Sequence, residues 1–166
     1  MKNGLWPNLF KGWDNKESET INTLKLIPVF KNFTKKEFLE LEKLVHHRNF
    51  SENEFIFKNN APGEGMYIIM KGSIKISIGD GENEKILANL QEGDFFGELA
   101  LFDDEPRSAN AISLSESKLI GFFTPDLLAL KDRNPVITNK ILFNLGQILG
   151  ERLRQTNSLL LDQQKK

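Results

Sequence analysis

The sequence predicts an α+β protein in which an antiparallel β jelly-roll barrel is flanked by N-terminal helices and a long C-terminal helix. Three observations favour this fold class. Up to about residue 49, apolar residues recur at helical spacing. Between residues 50 and 123 they form short runs separated by turn residues, which is typical of strands. From residue 124 the helical spacing returns.

The N-terminal zone is predicted to hold an aromatic arm followed by two helices. In the arm, residues 1–19, Pro7 and Gly12 interrupt the apolar residues, so no clean helix is expected. The first helix carries Ile21, Leu24 and Ile27 and ends before Pro28. Whether the arm packs on its own domain or docks on a partner is left open. The arm's large apolar side chains are Leu5, Trp6, Leu9, Phe10 and Trp13.

The second predicted helix starts at a capping box. Thr34 is the N-cap and Glu37 stands three residues later, which lets each side chain bond the other's backbone N–H. Its apolar face is predicted to comprise Phe38, Leu41, Leu44 and Val45.

The barrel, residues 50–123, is predicted from runs rich in isoleucine and phenylalanine. Ile74, Ile76 and Ile78 alternate with polar residues, the period of a half-buried strand. Turn residues such as Gly72 and Gly93 separate the runs. The predicted strands lie at residues 54–57, 66–70, 74–78, 85–90 and 118–123.

Two helices are predicted between residues 124 and 161, before a short tail at residues 162–166. Thr124 is read as an N-cap with Pro125 at the first helical position, and Asn134 with Pro135 repeats the signal. The helix from about residue 136 to 161 carries two apolar stripes, which predicts two packing partners, the barrel and a second subunit; the alternative is one wide face towards the core. One stripe comprises Leu142, Leu145, Leu149, Arg152, Thr156 and Leu159, and the other Ile141, Ile148 and Leu160.

Composition excludes several classes of function. The 22 basic and 23 acidic side chains give a net charge of −1, which disfavours nucleic-acid binding. Without cysteine, the chain has no disulfide, thiolate metal site or cysteine nucleophile. No apolar run approaches the roughly 20 residues of a membrane span. Pro7 and Asn8 stand where a signal peptide needs an apolar core, so a cytoplasmic protein is expected.

The most informative segment runs from residue 93 to 111. By charge alone it is an acidic surface loop, with Glu92 directly before it and five carboxylates within it (Asp94, Glu98, Asp103, Asp104 and Glu105) ahead of Arg107. Its pattern supports a sharper hypothesis. One turn of helix opening at Gly97 would present free N–H groups to an anion, and the Arg107 guanidinium could donate two parallel hydrogen bonds to a phosphate. Glu98 could accept from a sugar hydroxyl.

This segment resembles the phosphate-binding cassette of cyclic nucleotide-binding domains, the family that includes the catabolite activator protein, protein kinase A regulatory subunits and cyclic-nucleotide-gated channels. The matching residues are Phe-Gly-Glu-Leu-Ala-Leu at 96–101 and Pro-Arg-Ser-Ala at 106–109. The resemblance extends over about residues 24–160, with Gly63, Gly72 and Gly93 at family turn positions. It implies a ligand sensor rather than an enzyme, with cAMP or cGMP as ligand and no cofactor or metal.

The resemblance also implies roles for individual residues. Glu98 would bind the ribose 2′-hydroxyl and Arg107 the exocyclic phosphate oxygens, while Ser108, Ala109 and the backbone of Gly97, Leu99 and Ala100 would complete the phosphate cradle. Ile86, Leu87 and Phe96 would line the base pocket, although ordinary barrel core explains them equally well. Thr156 and Asn157 on the long helix would meet the base. Serine after the arginine mildly favours adenine, so the sequence predicts cAMP.

Two alternatives accompany this prediction. A jelly roll could hold a catalytic metal, but His46 and His47 are the chain's only histidines, adjacent in the predicted helical zone and read as a solvated helix end. The fold could also serve as a protein-interaction module that binds no nucleotide.

The chain ends about five residues after the long helix, so no DNA-binding helix-turn-helix is expected. The predicted partners are the nucleotide, a second copy and an unidentified protein.

Overall fold

The computed structural model describes residues 17–163 and confirms the predicted fold class. Residues 1–16, and with them nearly all of the predicted aromatic arm, lie outside the described part. Helix α1 (Glu19–Leu26) is followed by a 3₁₀ turn (Pro28–Phe30) and α2 (Lys35–Glu42). The predicted capping box of α2 is confirmed, with Thr34 and Glu37 bonded to each other's backbone.

Eight strands lie in the described residues: β1 (His46–Phe50), β2 (Phe55–Phe57), β3 (Gly65–Lys71), β4 (Ser73–Ile78), β5 (Lys85–Gln91), β6 (Phe95–Phe96), β7 (Asn110–Ser113) and β8 (Ser117–Phe123). They form two antiparallel four-stranded sheets with the orders β1-β8-β3-β6 and β2-β7-β4-β5. The 3₁₀ turn Gly81–Asn83 precedes β5, and the 3₁₀ turn Glu98–Leu101 follows β6.

Strand β3 joins the two halves of the core. Met66 and Ile68 pack into a cluster shared with the helices, whereas Tyr67 and Ile69 pack between the two sheets. Because successive side chains of a strand point to opposite faces, a strand covered on both sides is apolar throughout. This explains why residues 66–70 form an unbroken apolar run rather than an alternating one.

The prediction of helix up to residue 49 is wrong at its end. Residues 46–50 form β1, an edge strand paired only with β8 in the described sheet. Most of its side chains are exposed, so no apolar alternation marked it. His46 and His47 therefore do not end a helix: His46 Nε2 lies 3.1 Å from Asp126 Oδ2, and His47 Nε2 lies 3.1 Å from Thr20 Oγ1.

Two C-terminal helices follow the barrel, α3 (Thr124–Arg133) and α4 (Pro135–Gln163). Asn134 caps α4 as predicted, since its Oδ1 accepts from the Ile137 N–H at 3.4 Å. Thr124 is not the N-cap of α3 but its first residue, and Asp126 satisfies the Phe123 N–H instead. The Thr124 hydroxyl donates to the carbonyl of Ala100 at 2.8 Å, which ties the 3₁₀ turn after β6 to α3.

Helix α4 has two unlike halves. Its first half packs on the core through Ile137, Ile141 and Leu145, and Asn144 donates to the carbonyl of Val29 at 2.9 Å. From residue 151 to 162 every side chain is exposed. The outer parts of both predicted stripes, including Leu159 and Leu160, therefore pack on no core formed by residues 17–163.

Candidate ligand-binding site

A cavity of about 460 Å³ opens where β6, the 3₁₀ turn Glu98–Leu101 and the segment before β7 meet the middle of α4. This volume is in the range of small-molecule sites. Eight of the twelve predicted site residues line it: Phe96, Gly97, Glu98, Leu99, Ala100, Arg107, Ser108 and Ala109. The two halves of the sequence motif are thus brought together around one concavity.

Gly97 shapes the entrance to the 3₁₀ turn. Its φ is +76°, a left-handed backbone conformation that residues other than glycine adopt only at a cost in free energy. A Cβ at this position would lie 2.7 Å from Arg107 Nη1 and 3.3 Å from the carbonyl oxygen of Gly65. Glycine is therefore required here both for the backbone conformation and for the approach of the arginine.

Arg107 is buried on the cavity wall, with 7% of its surface exposed. Its Nη1 donates to the carbonyl of Gly97 at 2.9 Å, and its guanidinium lies 4.1 Å from the ring centroid of Phe57. Its backbone is held on both sides, because its N–H donates to Ala61 and its carbonyl accepts from Asn60, each at 2.8 Å. These contacts fix the position of the side chain.

The Arg107 guanidinium is incompletely paired. Among the described residues its buried Nε has no hydrogen-bond partner. Burial lowers the pKa of Arg107, and the nearby Tyr67, Glu64 and Glu98 oppose this effect. A buried donor without a partner costs free energy, about 1–3 kcal/mol for a neutral group and more for a charged one. Arg107 lines the cavity, so an anion bound there would offset the charge of its guanidinium.

Glu98 is the buried carboxylate of the cavity, and it pairs with Arg152 of α4 rather than with Arg107. The guanidinium of Arg152 also lies 4.8 Å from the ring centroid of Phe95. Arg152 was placed by the sequence only in an apolar stripe of the long helix. Its charge among leucines was the available signal that this position faces a polar group.

The apolar wall of the cavity differs from the predicted one. Ile76, Ala88 and Leu90 line it together with Phe57 and Phe96, whereas Ile86 and Leu87 are more than half exposed and lie outside the lining. The cause is an irregularity in the β4–β5 pairing. Ile76 pairs with Ala88 but Ser77 pairs with Ile86, so Leu87 is an extra residue and the alternation of faces changes there.

Thr156 and Asn157 do not line the cavity within this chain. Both are exposed on α4, and Thr156 stands one helical turn beyond Arg152, where its hydroxyl donates to the Arg152 carbonyl at 2.9 Å. A base contact by these two residues stays a prediction.

Two features that other functions would need are absent from residues 17–163. No group of three or more histidine, cysteine or acidic side chains in this range is placed to hold a metal ion. No helix in the same range has the length and apolar character needed to cross a bilayer.

Relatives of the chain are cyclic nucleotide regulators. It is 29% identical over 135 residues to the cyclic AMP receptor protein of Thermus thermophilus, covering 81% of this chain and 61% of that protein. It is also 29% identical over 136 residues to a CRP-like cAMP-activated global transcriptional regulator of Mycobacterium tuberculosis, covering 81% and 58%. The chain thus spans about three fifths of these relatives.

Solved structures show the same fold. The catabolite activator protein of Thermus thermophilus superposes with a TM-score of 0.72 at 29% identity, over 80% of this chain and 61% of that one. A cyclic nucleotide-binding domain from Methylobacillus flagellatus gives 0.76 at 21% identity, over 87% and 82%. The family model described as "Cyclic nucleotide-binding domain" matches residues 47–134, more than half of the 166 residues. The chain therefore belongs to the cyclic nucleotide-binding domain family.

Proposed function

We propose that this domain is a regulatory sensor that binds cAMP in the cavity and transmits binding through α4 to a partner protein or a second copy. The single observation that carries the proposal is Arg107, buried on the cavity wall with Nε unpartnered among the described residues. A cyclic phosphodiester supplies a monoanion with two exocyclic oxygens, which matches the planar fork of a guanidinium.

Glu98 supports the ribose half of the ligand. It is buried beside the same cavity, and an ionised carboxylate accepts hydrogen bonds without donating any. A ribose 2′-hydroxyl is a donor of suitable size. Ser108 lines the cavity next to Arg107 and offers a hydroxyl to the phosphate.

The cavity contacts that would identify the base are less specific than those for the phosphate and the ribose. Ile76, Ala88 and Leu90 offer an apolar shelf that would accept any purine. The choice of cAMP rests on serine following Arg107, on the polar groups of Thr156 and Asn157, and on the two bacterial relatives, whose names carry cyclic AMP.

Transmission through α4 follows from the shared use of Glu98. Arg152 of α4 and the ligand's ribose would act on the same carboxylate, so ligand occupancy and helix position are energetically linked. Ligand bound at residues 97–109 would close α4 over the base and thereby change the exposure of the outer apolar stripe of that helix. It would do so only to the extent that it binds the closed position more tightly.

The outcome of closure would be a protein contact. Leu153, Leu159, Leu160 and Leu161 are more than half exposed on the second half of α4. An apolar helix face of this kind fits a homodimer through α4, or an unidentified protein. The role is regulatory and not catalytic, and a cytoplasmic location stays a prediction.

Isothermal titration of the protein with cAMP and cGMP tests the ligand. Micromolar or tighter binding of cAMP, with cGMP weaker, is the expected result. Hydrogen exchange then tests the transmission, with residues 151–162 expected to gain protection when cAMP is added. Unchanged protection with full occupancy would contradict the role of α4.

The exposed leucines of α4 also fit the second candidate, an interaction module that needs no nucleotide. The same titration separates the two. If neither nucleotide binds while the protein is folded and recovers a partner from solution, the module is supported and the sensor is not.

A further inference from the structure

The acidic residues at the mouth of the cavity have no role in the proposed binding of a cyclic nucleotide. Asp103 and Glu105 line the cavity beside Pro106 and Arg107, and both are exposed. Asp103 is held in place because its Oδ1 accepts from the Glu105 N–H at 3.3 Å. Carboxylates at the entrance of an anion site need an explanation, since they repel the ligand.

The charges of the lining residues explain why carboxylates stand at the cavity entrance. The cavity is lined by three carboxylates, Glu98, Asp103 and Glu105, and by two guanidinium groups, Arg107 and Arg152. Arg152 is already paired with Glu98. Arg107 is therefore the cation of the lining that has no carboxylate in direct contact among residues 17–163, and two carboxylates oppose it at the rim. The formal net charge of the lining is −1, so Arg107 offers a ligand a single positive charge, and any further negative charge on the ligand is opposed by the rim carboxylates alone.

Nucleotides that compete for such a site differ by up to one negative charge. A cyclic phosphodiester carries one, whereas a phosphate monoester carries between 1.5 and 2 near neutral pH, because its second pKa is about 6. Adenosine 5′-monophosphate has the same base and ribose 2′-hydroxyl as cAMP and carries its phosphate on the same 5′ oxygen. Arg107 and the backbone N–H groups alone would bind both, and would attract the dianion more strongly.

We infer that Asp103 and Glu105 are specificity-determining residues, whose charges exclude dianionic nucleoside monophosphates and so keep the site for cyclic monoanions. The inference rests on the proposed function and explains how that same site selects its ligand. A fixed negative charge at the rim penalises each ligand in proportion to the ligand's own charge. The penalty is therefore larger for the monoester than for the diester.

The test measures selectivity rather than affinity alone. Dissociation constants for cAMP, 5′-AMP and uncharged adenosine are determined by titration for the wild type and for Asp103→Asn/Glu105→Gln. Asparagine keeps the oxygen that accepts from residue 105, so the local turn is retained. The control, Asp104→Asn/Glu116→Gln, removes two charges from exposed residues that do not line the cavity.

The expected result is that the preference for cAMP over 5′-AMP falls about fivefold in the Asp103/Glu105 variant at low salt, and falls less at about 0.5 M salt, where screening is strong. The control variant should keep the wild-type preference, and adenosine affinity should not change. The inference is overturned if the preference stays constant, if the control shifts equally, or if adenosine shifts as much as 5′-AMP, which would indicate a reshaped cavity.

Failure of the proposed function has a different signature. If the folded wild-type protein binds no cyclic nucleotide, the sensor proposal is wrong and this inference falls with it. If the wild type binds cAMP but the Asp103→Asn/Glu105→Gln variant keeps the wild-type preference for cAMP over 5′-AMP, the sensor proposal stands and the role of the rim carboxylates is rejected.

Discussion

The two guanidinium groups that border the cavity are held in opposite ways. Arg107 is buried, anchored through its backbone and side chain to the barrel, and keeps a donor unpartnered among the described residues. Arg152 stands on α4, is about half exposed, and is already paired with Glu98. One arginine is fixed and chemically unsatisfied, and the other is satisfied and lies on the exposed second half of α4.

This contrast separates the residue proposed to recognise the ligand from the residue proposed to transmit its binding. A fixed, unsatisfied donor gives affinity, because ligand supplies a missing hydrogen bond at little cost in side-chain entropy. A satisfied pair between two elements gives coupling, because any ligand that takes up one member changes how firmly the elements are joined. Substitutions at the two arginines should therefore differ in kind as well as in size.

The largest expected effect is at Arg107. Arg107→Ala should weaken cAMP binding by about a hundredfold or more, since it removes charge-assisted hydrogen bonds in a buried site. Arg107→Lys should recover only part of that loss, because an ammonium group cannot donate two parallel bonds. Isothermal titration measures both.

Arg154→Ala is the matched control, since Arg154 is an exposed arginine of α4 that does not line the cavity. It should bind cAMP as the wild type does. Because Arg107 also packs on Phe57, thermal unfolding by circular dichroism must show that Arg107→Ala is folded. Wild-type affinity in a folded Arg107→Ala protein would contradict the assignment of the phosphate site.

A smaller effect is expected when the fixed arginine is displaced rather than removed. Gly97→Ala places a Cβ 2.7 Å from Arg107 Nη1. Gly93→Ala is a close control, because Gly93 also has a left-handed φ, +87°, but no atom lies within 4 Å of its added Cβ. Both should lose stability, by about 1 kcal/mol from backbone strain.

Only Gly97→Ala should lose affinity, by about thirtyfold, as Arg107 is forced from the cavity wall. Titration gives the affinities and chemical unfolding the stabilities. Equal losses of affinity in the two variants would mean that backbone strain, and not crowding of the arginine, is responsible.

The two sides of the cavity also differed in how far the sequence predicted them. On the cassette side, Gly97, Glu98 and Arg107 were identified because their chemistry and spacing are local to residues 93–111, and the structure gathers them around one cavity. The apolar wall was predicted less well. Ile86 and Leu87 look like core residues, but their direction depends on a pairing irregularity that single-strand periodicity does not encode.

The helix side depends on packing between distant segments. Arg152 meets Glu98 across 54 positions of the chain, and nothing local to either residue announces the pair. The same limit explains β1, whose polar residues become a strand only by pairing with β8. The fold class was predictable because it needs only the order of helical and strand periods. Contacts made by tertiary packing were not.

The coupling attributed to Arg152 is tested by a double-mutant cycle with Glu98. Glu98→Gln should weaken cAMP binding by about tenfold, through loss of a hydrogen bond to a charged acceptor. Arg152→Met keeps an apolar stem over Phe95 but removes the charge, and should change affinity less. Its main effect should be a smaller cAMP-induced gain of hydrogen-exchange protection at residues 151–162.

In the double variant the effect on exchange should be no larger than in Glu98→Gln alone, since both changes remove the same contact. Additive losses of protection would show that Arg152 acts on α4 independently of the carboxylate. That result would leave the phosphate site in place but reject the proposed link between ribose and helix.

The smallest effect is expected at Thr156, which lies on α4 beyond the residues that line the cavity. Thr156→Val should weaken cAMP about threefold and cGMP less, because one hydroxyl hydrogen bond to the base contributes about 0.5–1.5 kcal/mol. Ser158→Ala is the control, since Ser158 also bonds the carbonyl four residues before it. As Thr156 is exposed in the single chain, any base contact requires α4 to close or a second copy to approach. The threefold loss of affinity should therefore accompany the ligand-induced protection of residues 151–162. In an Arg152→Met background, which weakens this protection, Thr156→Val should reduce cAMP affinity by less than threefold.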